Sequence, residues 1–231
     1  MNTEEPQSQR RHRLLGAVPF IFAIIISAAL ATSVYTALGG FTATITNNGN
    51  TYSSGTLLLS ESQGATTCLS TANPTAIVNN SNTCSGINLL GNPTQTNGDS
   101  AVTASTSIVT VENVGTLNSS ALTLTPGACT ASANSKTSPY AGSDTTGFCS
   151  KVDITIFNGT NCVYPAQSGA CPALSNTYNL ASLASKGALT LSALSANSSA
   201  TYTFTVQLDS GVTNADQGLT ATESFAWTLS Q

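Results

Sequence analysis

The chain has 231 residues, 40% of them hydrophobic and only 7% charged, with a formal net charge of −4 at pH 7. Its cations are Arg10, Arg11 and Arg13 near the N-terminus and Lys136, Lys151 and Lys186 far apart beyond it, so the clustered positive charge that phosphate recognition needs is missing and nucleic acid is excluded as a partner. The sole histidine, His12, lies in the N-terminal segment, which strips the remainder of the usual general base and the commonest metal ligand.

Arg10, Arg11 and Arg13 precede an apolar stretch from Leu14 to Leu38, the layout of an export signal. At more than about 18 residues the stretch is also long enough to cross a bilayer as a helix, with the positive flank predicting that the rest of the chain faces outward. Two readings therefore stand for residues 1–40: a cleaved signal peptide or an N-terminal transmembrane helix. Small residues between Ala31 and Gly40 offer cleavage points, and the expected cut falls just before Phe41. Arg13 occupies the place where a twin-arginine signal wants an apolar residue. Residues 41–231 remain as one extracellular domain with three lysines, eight acids and a formal charge of −5. Its surface is kept wet by Ser, Thr, Asn and Gly. Asn79, Asn118, Asn158 and Asn197 each open a glycosylation sequon, although an Asn- and Ser-rich chain supplies such matches by chance.

Beyond Leu38, apolar residues recur with period two. Phe41, Ala43 and Ile45 share one face of an extended segment, Phe41 to Thr46, which ends at the turn-forming run Asn47 to Asn50. Further strands are predicted at Thr56 to Ser60, Ser107 to Asn113, Ala121 to Thr125, Val152 to Phe157, Ala188 to Leu191, Ala200 to Leu208 and Thr220 to Leu229. Leu180 to Lys186 is the one stretch with the pattern of a helical turn or two. Many short strands with long Gly/Pro/Asn/Ser loops predict an all-β antiparallel sandwich, jelly-roll-like. Six cysteines lie beyond the apolar stretch and fit an oxidising compartment. They fall into three local couples, Cys68 with Cys84, Cys129 with Cys149 and Cys162 with Cys171, each clamping a loop. The rival, a thiolate metal site, lacks both a CxxC pair and a histidine beyond residue 12.

Four features carry a resemblance. They are the apolar signal running straight into Phe41; Asn50-Thr51-Tyr52-Ser53-Ser54-Gly55-Thr56-Leu57-Leu58-Leu59; Val109-Thr110-Val111-Glu112-Asn113-Val114-Gly115-Thr116-Leu117; and Asn214-Ala215-Asp216-Gln217-Gly218. In this order they are similar to the TasA/camelysin family of bacterial surface proteins. The family opens with an aromatic-x-x-Gly-Thr-Leu segment, has a strand ending in Asn-x-Gly, and is released by a SipW-type signal peptidase. The resemblance implies an exported fibre or biofilm-matrix protein that polymerises when the N-terminal strand of one subunit completes the next. The cysteine-clamped loops depart from its best-known members.

Catalytic equipment is sparse. The metalloprotease activity attached to camelysin's name has no HExxH motif to act through, a serine triad lacks its base, and only Ser with Lys136, Lys151 or Lys186 is left as a nucleophile pair. The acids are Glu61, Asp99, Glu112, Asp144, Asp153, Asp209, Asp216 and Glu223, and none forms a recognisable glycosidase pair. Glu112, Asp153 and Glu223 fall in or beside predicted strands and read as solvated outward side chains. Asp209 and Asp216 flank a stretch that calcium could use, but Asp and Gly also form turns unaided. Trp227 and Tyr202 could stack on sugars, or fill the boundary of the core. The expectation is therefore no catalytic, cofactor-binding or metal site, and a structural protein. An exposed sheet edge can be completed by an extended segment from another chain, and Phe41, Ala43 and Ile45 have the alternating form of such a donor. Alternatives are that Phe41 to Thr46 is the first strand of its own sandwich, that the chain is a monomeric, membrane-anchored domain binding glycans or proteins, and, last, that it is a hydrolase.

Overall fold

The computed structural model describes residues 54–72, 80–91, 103–134, 139 and 141–231. The segment 1–40, the arm with Phe41, Ala43 and Ile45, Asn79, Asp99 and Lys136 lie outside the described residues.

Alternation of apolar with Thr or Ser residues builds the strands. In chain order they are β1 (Leu59–Gln63), β2 (Thr66–Leu69), β3 (Ser105–Asn113), β4 (Ala121–Pro126), β5 (Thr130–Ala133), β6 (Val152–Phe157), β7 (Cys162–Tyr164), β8 (Leu189–Leu191), β9 (Ser198–Leu208), β10 (Leu219–Thr222) and β11 (Phe225–Ser230), with one helix, α1 (Leu180–Lys186), between β7 and β8. All pair antiparallel. A six-stranded sheet has the order β2-β1-β3-β9-β6-β7, a three-stranded sheet β11-β4-β8, and β10 pairs with β5 alone. β1 turns into β2 over two residues, where Gly64 at φ 58 takes the left-handed conformation that tight hairpins require.

The centre of the large sheet is the β3–β9 pair, in register from Ser105 opposite Val206 to Asn113 opposite Ser198. Its inward face carries Val109, Val111, Tyr202, Phe204 and Val206, all buried. The outward face sets Thr106, Ile108 and Thr110 beside Thr205, Thr203 and Thr201, a hydroxyl surface that stays hydrated without charge. The three-stranded sheet packs across the inward face. Tyr202 meets Trp227 with ring centroids 5.0 Å apart, and Phe204 meets Phe225 at 5.5 Å. Each large side chain buried here contributes about 1.5–3 kcal/mol. Leu122 and Leu124 of β4, and Leu180 and Leu183 of α1, complete the core. Asn179 starts α1 with a capping box to Ser182, and Gly187 closes it at φ 66.

Several boundaries depart from the periodicity. The predicted strand Thr56 to Ser60 forms instead over Leu59–Gln63, because the backbone of Thr56 and Leu58 bonds to Val114, Thr116 and Leu117, beyond the end of β3. β2, β5 and β7, of three or four residues each, carry too little alternation to be read. The predicted strand Thr220 to Leu229 is divided. Gly127, Ala128 and Cys129 separate β4 from β5, whereas only Glu223 and Ser224 separate β11 from β10. One extra residue on one side is a β-bulge, which kinks the ribbon so that β10 and β11 enter different sheets.

Disulfides join Cys68 to Cys84, Cys129 to Cys149 and Cys162 to Cys171, indicating an extracytoplasmic protein. They stitch margins rather than the centre: Cys68 lies in β2, Cys162 in β7, and Cys129 in the bulge. Cys129–Cys149 spans the longest separation, 20 residues, so its loss should release the most loop entropy. Cys129→Ser with Cys149→Ser is expected to lower the unfolding free energy by about 2–4 kcal/mol, measured by urea titration.

Candidate functional site

Two of the sequence motifs meet in one joint. Gly55-Thr56-Leu57-Leu58 lies against Asn113-Val114-Gly115-Thr116-Leu117. The Thr56 carbonyl accepts from the amides of Thr116 (2.8 Å) and Leu117 (3.1 Å), the Leu58 carbonyl accepts from Val114 N (2.9 Å), and Thr56 N donates to Thr116 Oγ1 (2.9 Å). The backbones come so close that a Cβ on Gly115 would stand 2.2 Å from the Thr56 carbonyl oxygen; hence glycine at this position. Asn113, fully buried, locks the joint. Its Nδ2 donates to the carbonyls of Leu117 (2.8 Å) and Leu194 (3.1 Å), and its Oδ1 accepts from Gly115 N (3.1 Å). Ser119 N and Oγ both reach the Leu194 carbonyl at 3.0 Å, and Ser120 N donates to the Ser230 carbonyl at 2.7 Å.

The sheet margins differ in how they are finished. On β7, the loop closed by Cys162–Cys171 folds back, with Cys162 and Gln167 exchanging backbone hydrogen bonds. On β2, the loop tied by Cys68–Cys84 brings Asn82 Nδ2 to the Leu69 carbonyl at 3.0 Å. β8 offers only three residues. β5 and β10, which pair only with each other, have four residues each, and β11 is the longest of these margins. It pairs with β4 along all six residues, Phe225 to Ser230, and no hydrogen bond among the described residues occupies its other edge. Its inward row, Phe225, Trp227 and Leu229, is half-buried, where the matching row on β9 is fully covered. An open edge beside an incompletely covered apolar row is the form that strand addition takes.

Two glutamates bracket that row. Glu61, inward-facing on β1, accepts from Trp227 Nε1 at 2.8 Å; burial raises its pKa and the indole N–H opposes the rise. Glu223 sits at the bulge with both carboxylate oxygens buried and without hydrogen-bond partners, and burial pushes its pKa up to about 8. The expectation of an outward, solvated Glu223 is thus corrected, since unbroken alternation from Leu219 to Leu229 sets it on the same face as Phe225 and Trp227. Asp153 is corrected too. It is buried beneath Asn179, with which it bridges, one oxygen lacks a partner, and burial with the nearby Asp209 raises its pKa to about 6. Glu112 stays on the outward face, partly exposed.

The other candidates serve local structure. Asp144 Oδ1 accepts from Gly147 N (2.8 Å), Asp209 Oδ1 from Gly211 N (2.5 Å), and Asp216 Oδ2 from Thr213 N (2.7 Å), all turn or cap contacts. Lys151 Nζ reaches the Gly211 carbonyl at 3.4 Å, and Lys186 occupies the last turn of α1. Asn118 and Asn158 use their Oδ1 atoms to cap backbone amides, and Asn197 takes φ 57. Trp227 spends one face on Tyr202 and its N–H on Glu61. Clefts of about 300 Å³ between β7 and β8, and about 510 Å³ beside Cys129–Cys149, are lined by no ionisable side chain. Among the described residues no group of three or more Cys, Asp, Glu or His is placed to hold a metal ion. Sequence reasoning missed the Asn113 lock, the Glu61–Trp227 bond and the bulge; only the Asn-x-Gly spacing signalled the first. No protein-family model and no curated protein matches this chain.

Proposed function

We propose that the exported chain is a structural subunit of a cell-surface fibre or matrix, a jelly-roll-like β-sandwich of the TasA/camelysin kind that assembles by lending its N-terminal strand to a neighbour. The observation that carries this reading is the contrast between margins. Disulfide-tied loops finish both ends of the six-stranded sheet, while β11, among the described residues, keeps an open six-residue edge above an apolar row. Natural sheets blunt edges that must not pair, and an edge left long and apolar is one that pairs. Residues 1–40 hold the arm at the membrane until a signal peptidase cuts before Phe41, so processing licenses polymerisation. The three disulfides agree with an extracytoplasmic site of assembly.

The test is electron microscopy of the purified form beginning at Phe41, beside a form lacking Phe41 to Thr46. The full form is expected to make filaments, and the deletion to remain secreted, folded and monomeric. Filaments of unchanged length from the deletion would defeat the reading.

A further inference from the structure

Two carboxylates on the outward face of the large sheet have no part in the joint or the margins. Asp153 on β6 stands directly opposite Gln207 on β9, and residues opposed across a ladder point to the same side. The ladder runs one pair further, since Asp209 N donates to the Lys151 carbonyl at 2.7 Å. Asp209, two residues beyond Gln207, therefore returns to the face of Asp153.

Asp153 is only 4% exposed, and its Oδ1 is sealed from solvent without a hydrogen-bond partner. Asn179, bridged to it by backbone pairing, has no side-chain atom to give. Its Oδ1 accepts from Ser182 N at 2.9 Å and its Nδ2 donates to the Asn176 carbonyl at 2.6 Å. Lys151 turns elsewhere, its Nζ going to the Gly211 carbonyl at 3.4 Å. A carboxylate buried in this way is costly unless it is paired or holds a metal ion. Burial, with Asp209 beside it, lifts the Asp153 carboxyl to about 6, the response of two acids brought together with no cation between them.

The geometry points to a cation site: Asp153 and Asp209, with the amide oxygen of Gln207, take one calcium ion on the outward face of β6 and β9. Donors that are all oxygen select a hard cation. An amide and two carboxylates from two strands form an irregular set that calcium accepts, whereas magnesium demands a near-octahedral shell and gives up its water reluctantly. The ion would satisfy Asp153 Oδ1 and fasten the turn from Asp209 to Val212, closed by a 3.3 Å backbone hydrogen bond, to the start of β6. Asp216 has no share in it, because its Oδ2 is held by Thr213. Lys151 returns one positive charge to the neighbourhood of two negative ones, so the affinity belongs with that of extracellular calcium modules, about 10⁻⁴–10⁻³ M. The three disulfides place the chain in the kind of compartment where such an affinity is useful.

The site is independent of strand addition. It is tested on the full chain in detergent, by isothermal titration with calcium chloride and by thermal unfolding in EGTA against about 10 mM calcium, ten times the weakest dissociation constant expected. Calcium is expected to bind and to raise Tm by about 3–6 °C, with a smaller response to magnesium. Asp153→Asn and Asp209→Asn should each abolish the binding and the shift without lowering Tm in EGTA, since each removes a charge that its neighbour repels. Asp209→Asn keeps the acceptor that Gly211 N uses, so it carries the test alone if Asp153→Asn fails to fold. Lys151→Met is expected to tighten calcium about three- to tenfold, by removing a like charge at close range. Calcium that neither binds nor shifts Tm overturns the site. So does a response that Asp209→Asn retains, which would put the ion elsewhere on the chain, and a magnesium response equal to that of calcium overturns the choice of ion.

Discussion

Asn113→Leu is expected to lower the unfolding free energy by about 4 kcal/mol, a large share of the roughly 5–15 kcal/mol that holds a domain folded. Leucine keeps the branching at Cγ but is larger, so some overpacking adds to a loss that is mainly polar. The Leu194 carbonyl keeps its bonds from Ser119, but the Leu117 carbonyl and the Gly115 amide lose the partner that Asn113 supplies. Each buried group left unsatisfied costs about 1–3 kcal/mol. Asn113→Asp should fare no better, because a carboxylate cannot donate to Leu117 and brings charge into a fully buried site. Urea titration of both variants measures the loss. A change below about 1 kcal/mol would show that water replaces the amide.

Stability is expected to fall as pH rises from acid to mildly alkaline. Glu61, Asp153 and Glu223 all have carboxyl groups raised by burial, Asp153 to about 6 and Glu223 to about 8. A group that holds its proton more tightly when folded stabilises the fold fully below its unfolded value, about 4 here. That contribution is lost as pH climbs through the folded value, because the unfolded chain then releases a proton the folded one keeps. The window runs from about pH 4 to about 8, with Glu223 setting the upper end. Glu223→Gln keeps the shape and removes the ionisation, so the decline in Tm between pH 5 and pH 9 should shrink by several degrees. The slope is the readout, since the amide carries its own cost of burial at every pH. An unchanged slope would mean that Glu223 ionises in contact with water.

The legibility of this chain tracked the range of the interactions. β6, β9 and α1 could be read with good bounds because the alternation of Tyr202, Phe204 and Val206 with threonines, and the short helical pattern of Leu180 to Lys186, are local signals. β7 and β5 could not, for they are held by β6 and β10 and by disulfide-tied loops rather than by their own residues. Phe225 to Leu229 alternates through Ser224 back to Thr222 without interruption, so nothing local announced the bulge. Its cause is the unequal spacing on two strands nearly a hundred residues apart. Glu223 looked like an ordinary outward acid because of its charge, although the alternation itself sets it on the Phe225 face. Gly115 was visible as a motif, but its reason, the Thr56 carbonyl 2.2 Å from any Cβ, was not.

By itself the sequence determined the secondary-structure class, the export signature, the poverty of ionisable groups and the pairing of cysteines close along the chain. These depend on periodicity, composition and short loops, which neighbouring residues carry between them. Only the tertiary structure decided that β11 has an unpaired edge among the described residues, that its apolar row is half-covered and that Glu61 and Glu223, both half-buried, flank it. An edge is defined by which strand fails to arrive, and burial by what packs from elsewhere in the chain; neither is a property of the segment that shows it.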